Sequence, residues 1–83
     1  MARFHLHVHN RIGFVPDEEG QELQDVQAAR EVAITSIRSI VAEEVQEGVI
    51  DLTGRVEIAR PGGDVVAVVP FREAFLVEAV AGA

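Results

Sequence analysis

A two-layer α+β domain is what this sequence predicts. Three observations carry it: strict apolar alternation near the N-terminus, one long helical apolar stripe in the middle, and a strand-turn-strand pattern after it. The expected element order is β-α-β-β-α: a three-stranded antiparallel sheet of order 1-3-2, one long helix on one face and a short C-terminal helix. Chains of 83 residues cannot support two cores, so residues 1–83 form a single domain.

From Arg3 to Asn10 the residues alternate, with Phe4, Leu6 and Val8 on one side and His5, His7 and His9 on the other. Period-two alternation marks a half-buried strand whose apolar set faces the core. Arg11 to Gln24 holds Gly13, Pro16 and Gly20 among Asp17, Glu18, Glu19 and Glu22, which suits a connecting loop; Ile12, Phe14 and Val15 extend the strand or form a hairpin-like edge. Asp25 stands where an N-cap belongs, ahead of a helix from about Val26 to Glu47. Val26, Ala29, Ala33, Ile37, Ile40 and Val41 recur at spacings of three and four, widened by Ile34 and Val45, and Gly48 stops the helix. Glu31, Arg38 and Glu43 fall on its outer side, and Arg30 and Glu44 snorkel at the margins of the stripe.

Arg55 to Arg60 alternates again through Val56 and Ile58. Pro61-Gly62-Gly63-Asp64 is strong turn chemistry, and Val65 to Val69 resumes as an uninterrupted apolar run, so the pair reads as a hairpin. A strand with no polar side belongs in the middle of a sheet, which is the reason for placing the third strand centrally. Pro70 ends that strand. Phe71, Phe75 and Ala79 have helical spacing, so Phe71 to Val80 reads as a short second helix with a frayed, small-residue tail.

The composition excludes several classes of function. Fourteen acidic residues against seven basic ones, all Arg, give a formal net charge of -7, a sign that repels phosphate backbones and anionic leaflets. Neither nucleic acid nor a membrane is expected as a partner. No apolar run approaches the roughly 20 residues that span a bilayer, and the N-terminal residues lack a secretory pattern, so a cytoplasmic location is expected. Without Cys there is no disulfide, thiolate site or Cys nucleophile.

The His5-His7-His9 row is the most chemically suggestive feature, because imidazoles at alternate strand positions project to one side and two of them can converge on a metal ion. Asp17, Glu18, Glu19 or Glu57 would have to complete such a site, with zinc or another divalent metal as its occupant; no other cofactor is implied. An outward-facing His row is also what an edge strand tolerates in solvent. The acidic run from Asp17 to Glu22 does not fit a calcium loop, whose oxygen ligands alternate, and its carboxylates suit the positive end of the helix that follows. Ser36, Ser39 and Thr35 fall on the helix and Thr53 in a loop, with no nucleophile elbow or phosphate loop, so no catalytic residue is assigned and an enzyme would have to build its site between subunits.

The stretch GFVPDEEGQELQDVQAAR from Gly13 to Arg30, preceded by RFHLHVHN, resembles a family of short bacterial proteins, common in alphaproteobacteria and classified as a domain of unknown function. Asp17, Gly20, Glu22, Leu23 and Asp25 followed by Ala29-Arg30 carry the resemblance. It implies a first strand with an aromatic run and one His, matching His7, whereas His5 and His9 fall where an aromatic residue and an Arg are more usual.

The function expected from these features is a small interaction module that self-associates, with a further, unidentified protein partner. A metal-binding protein using His5, His7 and His9 and a small enzyme with an intersubunit site are the alternatives. The expected interaction surface comprises Asp17, Glu18, Glu19 and Glu22 with Phe71 and Phe75, since apolar residues after the third strand still need cover. An edge strand pairing across a two-fold axis is a route to a homodimer.

Overall fold

The structure, a computed structural model, describes residues 1–80. Strand β1 (Ala2–Asn10) is followed by two short strands, β2 (Gly13–Val15) and β3 (Gln21–Leu23), and then by the 21-residue helix α1 (Val26–Gln46). Strands β4 (Arg55–Ala59) and β5 (Val65–Pro70) form a hairpin, and a 3₁₀ turn (Phe71–Ala74) follows directly. The α+β class, the long helix and the antiparallel sheet are as the sequence predicts.

Local chemistry sets the helix ends. Asp25 has an extended backbone and accepts a hydrogen bond from Ala28 N at 2.8 Å, satisfying one of the donors that a helix start leaves free. At the other end Glu47 N and Val49 N donate to Glu44 O, and Gly48 takes φ +83°, a region that favours glycine.

The sheet has five strands in place of the expected three, because the Arg11–Gln24 connection supplies two of its own. Their order is β2-β1-β4-β5, with β3 pairing β1 on the same edge as β2 but further along. Val8 lies opposite Val15, and Ala2 opposite Leu23, while on the other edge Leu6 faces Ile58 and Val8 faces Val56.

The expected order 1-3-2 is corrected to 1-2-3: β4 is central and β5 lies at the edge. An apolar run implies cover on both sides only in a sheet layered on both sides. Here α1 covers one side alone, so Val69 is buried under it while Val66 and Val68 face outward. Alternation in β4 is the better marker of a central strand in this fold, because Val56 and Ile58 are buried and Glu57 is held among polar partners on the other side.

The core lies between α1 and the sheet: Phe4 and Leu6 from β1, Val56 and Ile58 from β4, and Val69 from β5 meet Ala29, Ala33, Ile37 and Val41. Small residues at positions 29 and 33 leave room for the large side chains opposite. Glu44, expected to snorkel, is buried instead, and Val45 points largely to solvent.

The expected C-terminal helix is also corrected. It is a single 3₁₀ turn, after which Phe75 turns extended at φ -139°, ψ 148°, and Leu76, Val77 and Val80 are exposed. Packing overrides helical spacing here: Phe71 is fully buried, its amide donates to Gly54 O at 2.9 Å, and Arg38 Nε donates to Ala74 O at 2.9 Å, which pins both ends of the turn against the sheet and α1. The last residues of the expected small-residue tail, 81–83, lie outside the described residues.

Gly54 is what lets Phe71 in, since a Cβ there would stand 2.6 Å from His9 O and 2.9 Å from the Phe71 ring. Phe71→Ala is therefore expected to lower stability by about 3–5 kcal/mol. Urea denaturation is the measurement, with Leu76→Ala, at an 85% exposed position, expected to leave the midpoint unchanged.

Candidate functional site

The helix-free side of the sheet gathers most of the chemically versatile side chains. His5, His7 and His9 all point there from β1, as their alternation with buried Phe4 and Leu6 requires. The rings of His5 and His7 stack at 6.1 Å between centroids with 17° between planes, and Phe14 of β2 lies 5.8 Å from His7 and 4.5 Å from His9.

Asp17 organises this row. It sits in the loop between β2 and β3, where the β1 edge facing away from β4 has no strand to pair with from His5 to His7. Its Oδ2 accepts from Leu6 N at 3.1 Å, taking the place of the missing strand, and its Oδ1 accepts from Gly20 N at 3.0 Å. Its backbone engages two imidazoles: Asp17 N donates to His7 Nδ1 at 3.0 Å, and Asp17 O accepts from His5 Nδ1 at 2.7 Å. A carbonyl can only accept and an amide can only donate, so His5 carries its proton on Nδ1 and neutral His7 carries its proton on Nε2. Gly20 closes the loop at φ +70°, where a Cβ would meet Phe4 O at 2.8 Å and His5 Cε1 at 3.0 Å.

Burial of Asp17 acts to raise its carboxyl pKa, but the hydrogen bonds from Leu6 and Gly20, with the nearby His5 and His7, outweigh it and hold the group below its ordinary value. Glu57, opposite His7 in the β1–β4 register, accepts from His9 Nε2 at 2.6 Å and has Arg55 Nε at 3.7 Å. The hydrogen bond from His9 lowers the Glu57 pKa against partial burial, with the charges of His9, Arg55 and His7 adding to it.

The expected site residues are thus dispersed. His5, His7 and His9 share one side with Asp17 and Glu57, yet no group of three or more His, Asp or Glu is arranged to hold a metal ion among the described residues. Glu18 and Glu19 are exposed, and Glu22 forms an ion pair with Arg3 at 3.2 Å, while Arg3 Nη1 also donates to Glu19 O. Phe71 is core rather than interaction surface, and Phe75 packs partly against that core, because the 3₁₀ turn carries both inward.

A second polar cluster, at the far end of α1, has little signature in the sequence. Asp51 is buried and accepts from Thr53 Oγ1 at 2.6 Å, Thr53 N at 3.0 Å and Arg11 N at 3.2 Å. The Thr53 hydroxyl and amide, with Arg11, hold its carboxyl below the ordinary value against the effect of burial. Arg11 Nη2 stands 3.3 Å from buried Glu44 Oε2, without the alignment of a hydrogen bond. Only the Asp-x-Thr spacing from Asp51 to Thr53, which suits a local side-chain turn, could have pointed there.

On the opposite, helix-bearing side a shallow groove of about 370 Å³ lies between β3 and α1, lined by Leu23, Ala28, Glu31, Val32, Thr35 and Ser36. It carries one charged side chain and no convergent polar set. No helix among the described residues is long and apolar enough to cross a membrane.

One helix laid on one side of an antiparallel sheet, with a loop-clamped His row on the other, defines a small two-layer domain with an open sheet face. A family model described as Domain of unknown function (DUF6894) matches residues 3–72, and the chain belongs to that family. The match takes in the His row, the Asp17 loop, α1 and the β4–β5 hairpin. No curated protein and no solved structure matches the chain.

The lowered Asp17 pKa has a defined sign. Its contribution to stability is complete above the unfolded-state value and is lost as pH falls through the folded-state value. Asp17→Ala is expected to destabilise by on the order of 1–3 kcal/mol at neutral pH, since Leu6 N and Gly20 N lose their acceptor. Asp17→Asn is expected to flatten the loss of stability on acidification from about pH 5 to pH 3, read from urea midpoints.

Proposed function

We propose that this domain is a small cytoplasmic interaction module that self-associates, with the helix-free side of the sheet and the adjoining β5 edge as its contact surface. The observation that supports this reading is the apolar flank on each side of the His row: Phe14, 53% exposed, stands at one edge, and Val66 and Val68, 36% and 41% exposed, stand at the other. Apolar residues gathered on one side of a sheet and rimmed by polar groups are the signature of a protein contact surface.

Charge favours the same side. The chain carries a formal net charge of -7, yet the centre of this face holds Glu57 beside Arg55 at 3.7 Å together with three imidazoles, so two copies can approach there without opposing like charges. The hydrogen-bonded state of the His row supports a binding role over a catalytic one. Each of the three imidazoles has one ring nitrogen engaged within the fold. Metal binding by His5, His7 and His9, with zinc or another divalent ion, and an intersubunit active site around His7 are the competing readings.

A native mass spectrum of tag-free protein, recorded as purified and after stoichiometric zinc, separates them. The expected result is a dimer that retains no metal. A monomer at every concentration tested would remove the self-association reading. One metal held per subunit, and lost in a folded His5→Thr/His7→Thr/His9→Thr variant, would move the function to the His row.

A further inference from the structure

We propose that β5 pairs antiparallel with β5 of a second copy across a two-fold axis at Ala67, joining two sheets into one. The proposal rests on the self-association reading and names the contact that makes it.

Strand β5 is the outer edge of the sheet, and no other strand among the described residues covers it. Its six residues carry no charge, and Val65, Val66 and Val68 are 49%, 36% and 41% exposed. Monomeric proteins protect such edges with Lys, inward charges, bulges or Pro. Here the register shift between Ile58 and Ala59 leaves Val66 as an extra residue near the start of β5, and Pro70 stands at its end, so the stretch from Ala67 to Val69 is left unguarded.

The backbone already points the right groups outward. Phe71 N donates to Gly54 O, so in an antiparallel ladder the amides of Val69 and Ala67 turn toward β4, and that of Val68 turns to the open edge. Pro70 occupies an outward position, where its missing N–H takes nothing from the β4 ladder.

The strand is also complementary to itself. Val65-Val66-Ala67-Val68-Val69 reads the same in both directions about Ala67. An axis there sets Val66 opposite the partner's Val68, with the Val68 amide donating to the partner's Val66 carbonyl, and brings Ala67 against the partner's Ala67 as the close, non-hydrogen-bonded pair. Small Ala at the closest approach and β-branched Val on either side suit those positions. Since no residue from Val65 to Phe71 is charged, the axis opposes no like charges. The other edge offers no such template, because β2 and β3 have three residues each and the Asp17 loop separates them.

The chain has no native Cys, so single cysteines report the register directly. Ala67→Cys is expected to form a disulfide-linked dimer on oxidation with diamide. Val66→Cys alone is expected to stay unlinked, and the Val66→Cys/Val68→Cys variant to link. Val68→Pro, which removes an outward N–H and none directed at β4, is expected to weaken the dimer by roughly tenfold or more in sedimentation equilibrium, with an unchanged far-ultraviolet circular dichroism spectrum. Phe14→Lys, across the sheet from β5, is expected to weaken the dimer less than Val68→Pro does.

A dimer that survives Val68→Pro but dissociates on Phe14→Lys would overturn the edge pairing and keep self-association, moving the contact to the His-bearing side. Linkage of Val66→Cys as fast as Ala67→Cys would overturn the register. A wild-type chain that remains monomeric would remove both the pairing and the reading it rests on.

Discussion

The Asp17 carboxylate does for β1 what a neighbouring strand does elsewhere. Along nine residues β1 changes partner on one edge, from β3 at Ala2–Phe4 to β2 at Val8–Asn10, and the gap between them exposes the Leu6 amide. A backbone donor left without a partner costs on the order of 1–3 kcal/mol when buried, and Asp17 Oδ2 supplies the acceptor. Once that carboxylate is in place the loop backbone lies against His5 and His7, the tautomers of both rings are set, and Gly20 must turn with positive φ to return the chain to β3. The hydrogen-bond partners of His5 and His7 and the path of the chain from β2 to β3 follow from this substitution of a side chain for a strand.

The two sides of the sheet obey different rules as a result. Under α1, alanines at 29 and 33 face large side chains, and Phe71 fills the space that Gly54 leaves, so any change of volume is felt throughout a small core. On the other side, polar contacts replace close packing: His9 to Glu57, Glu57 to Arg55, and the Asp17 loop over the imidazoles. Buried Glu44 beside Arg11 is the exception on the helix-bearing side, a carboxylate held by an ion pair rather than by hydrogen bonds. Membership of a family described only as a domain of unknown function places the weight of functional argument on these side chains.

Much of the fold was legible in the sequence. Asp25 and Gly48 bracket the helix because capping is local chemistry, and the alternation through Phe4, Leu6 and Val8 marks β1 because one side alone is buried. Strand order was not legible, since Val65 to Val69 has the same composition whether its second side is covered by protein or open to water. Helical spacing at Phe71 and Phe75 misled because a few anchoring contacts outweigh the weak propensity of so short a segment. The common side of His5, His7 and His9 was readable from parity, whereas the partners of each ring were not: Asp17 is ten or more residues away, and Glu57 reaches His9 only through the β1–β4 register.

The interruption of β1 by Asp17 also decides how far the sheet can extend. Edge-to-edge growth needs an uninterrupted row of amides and carbonyls, and at the β1 end that row is broken into two three-residue pieces with a loop between them. One end of the molecule can therefore accept a strand while the other acts as a terminator. Association through β5, as proposed, would close at two subunits and leave no matching edge for further growth, so an apolar edge that would be hazardous in a symmetric sheet would be safe in this one.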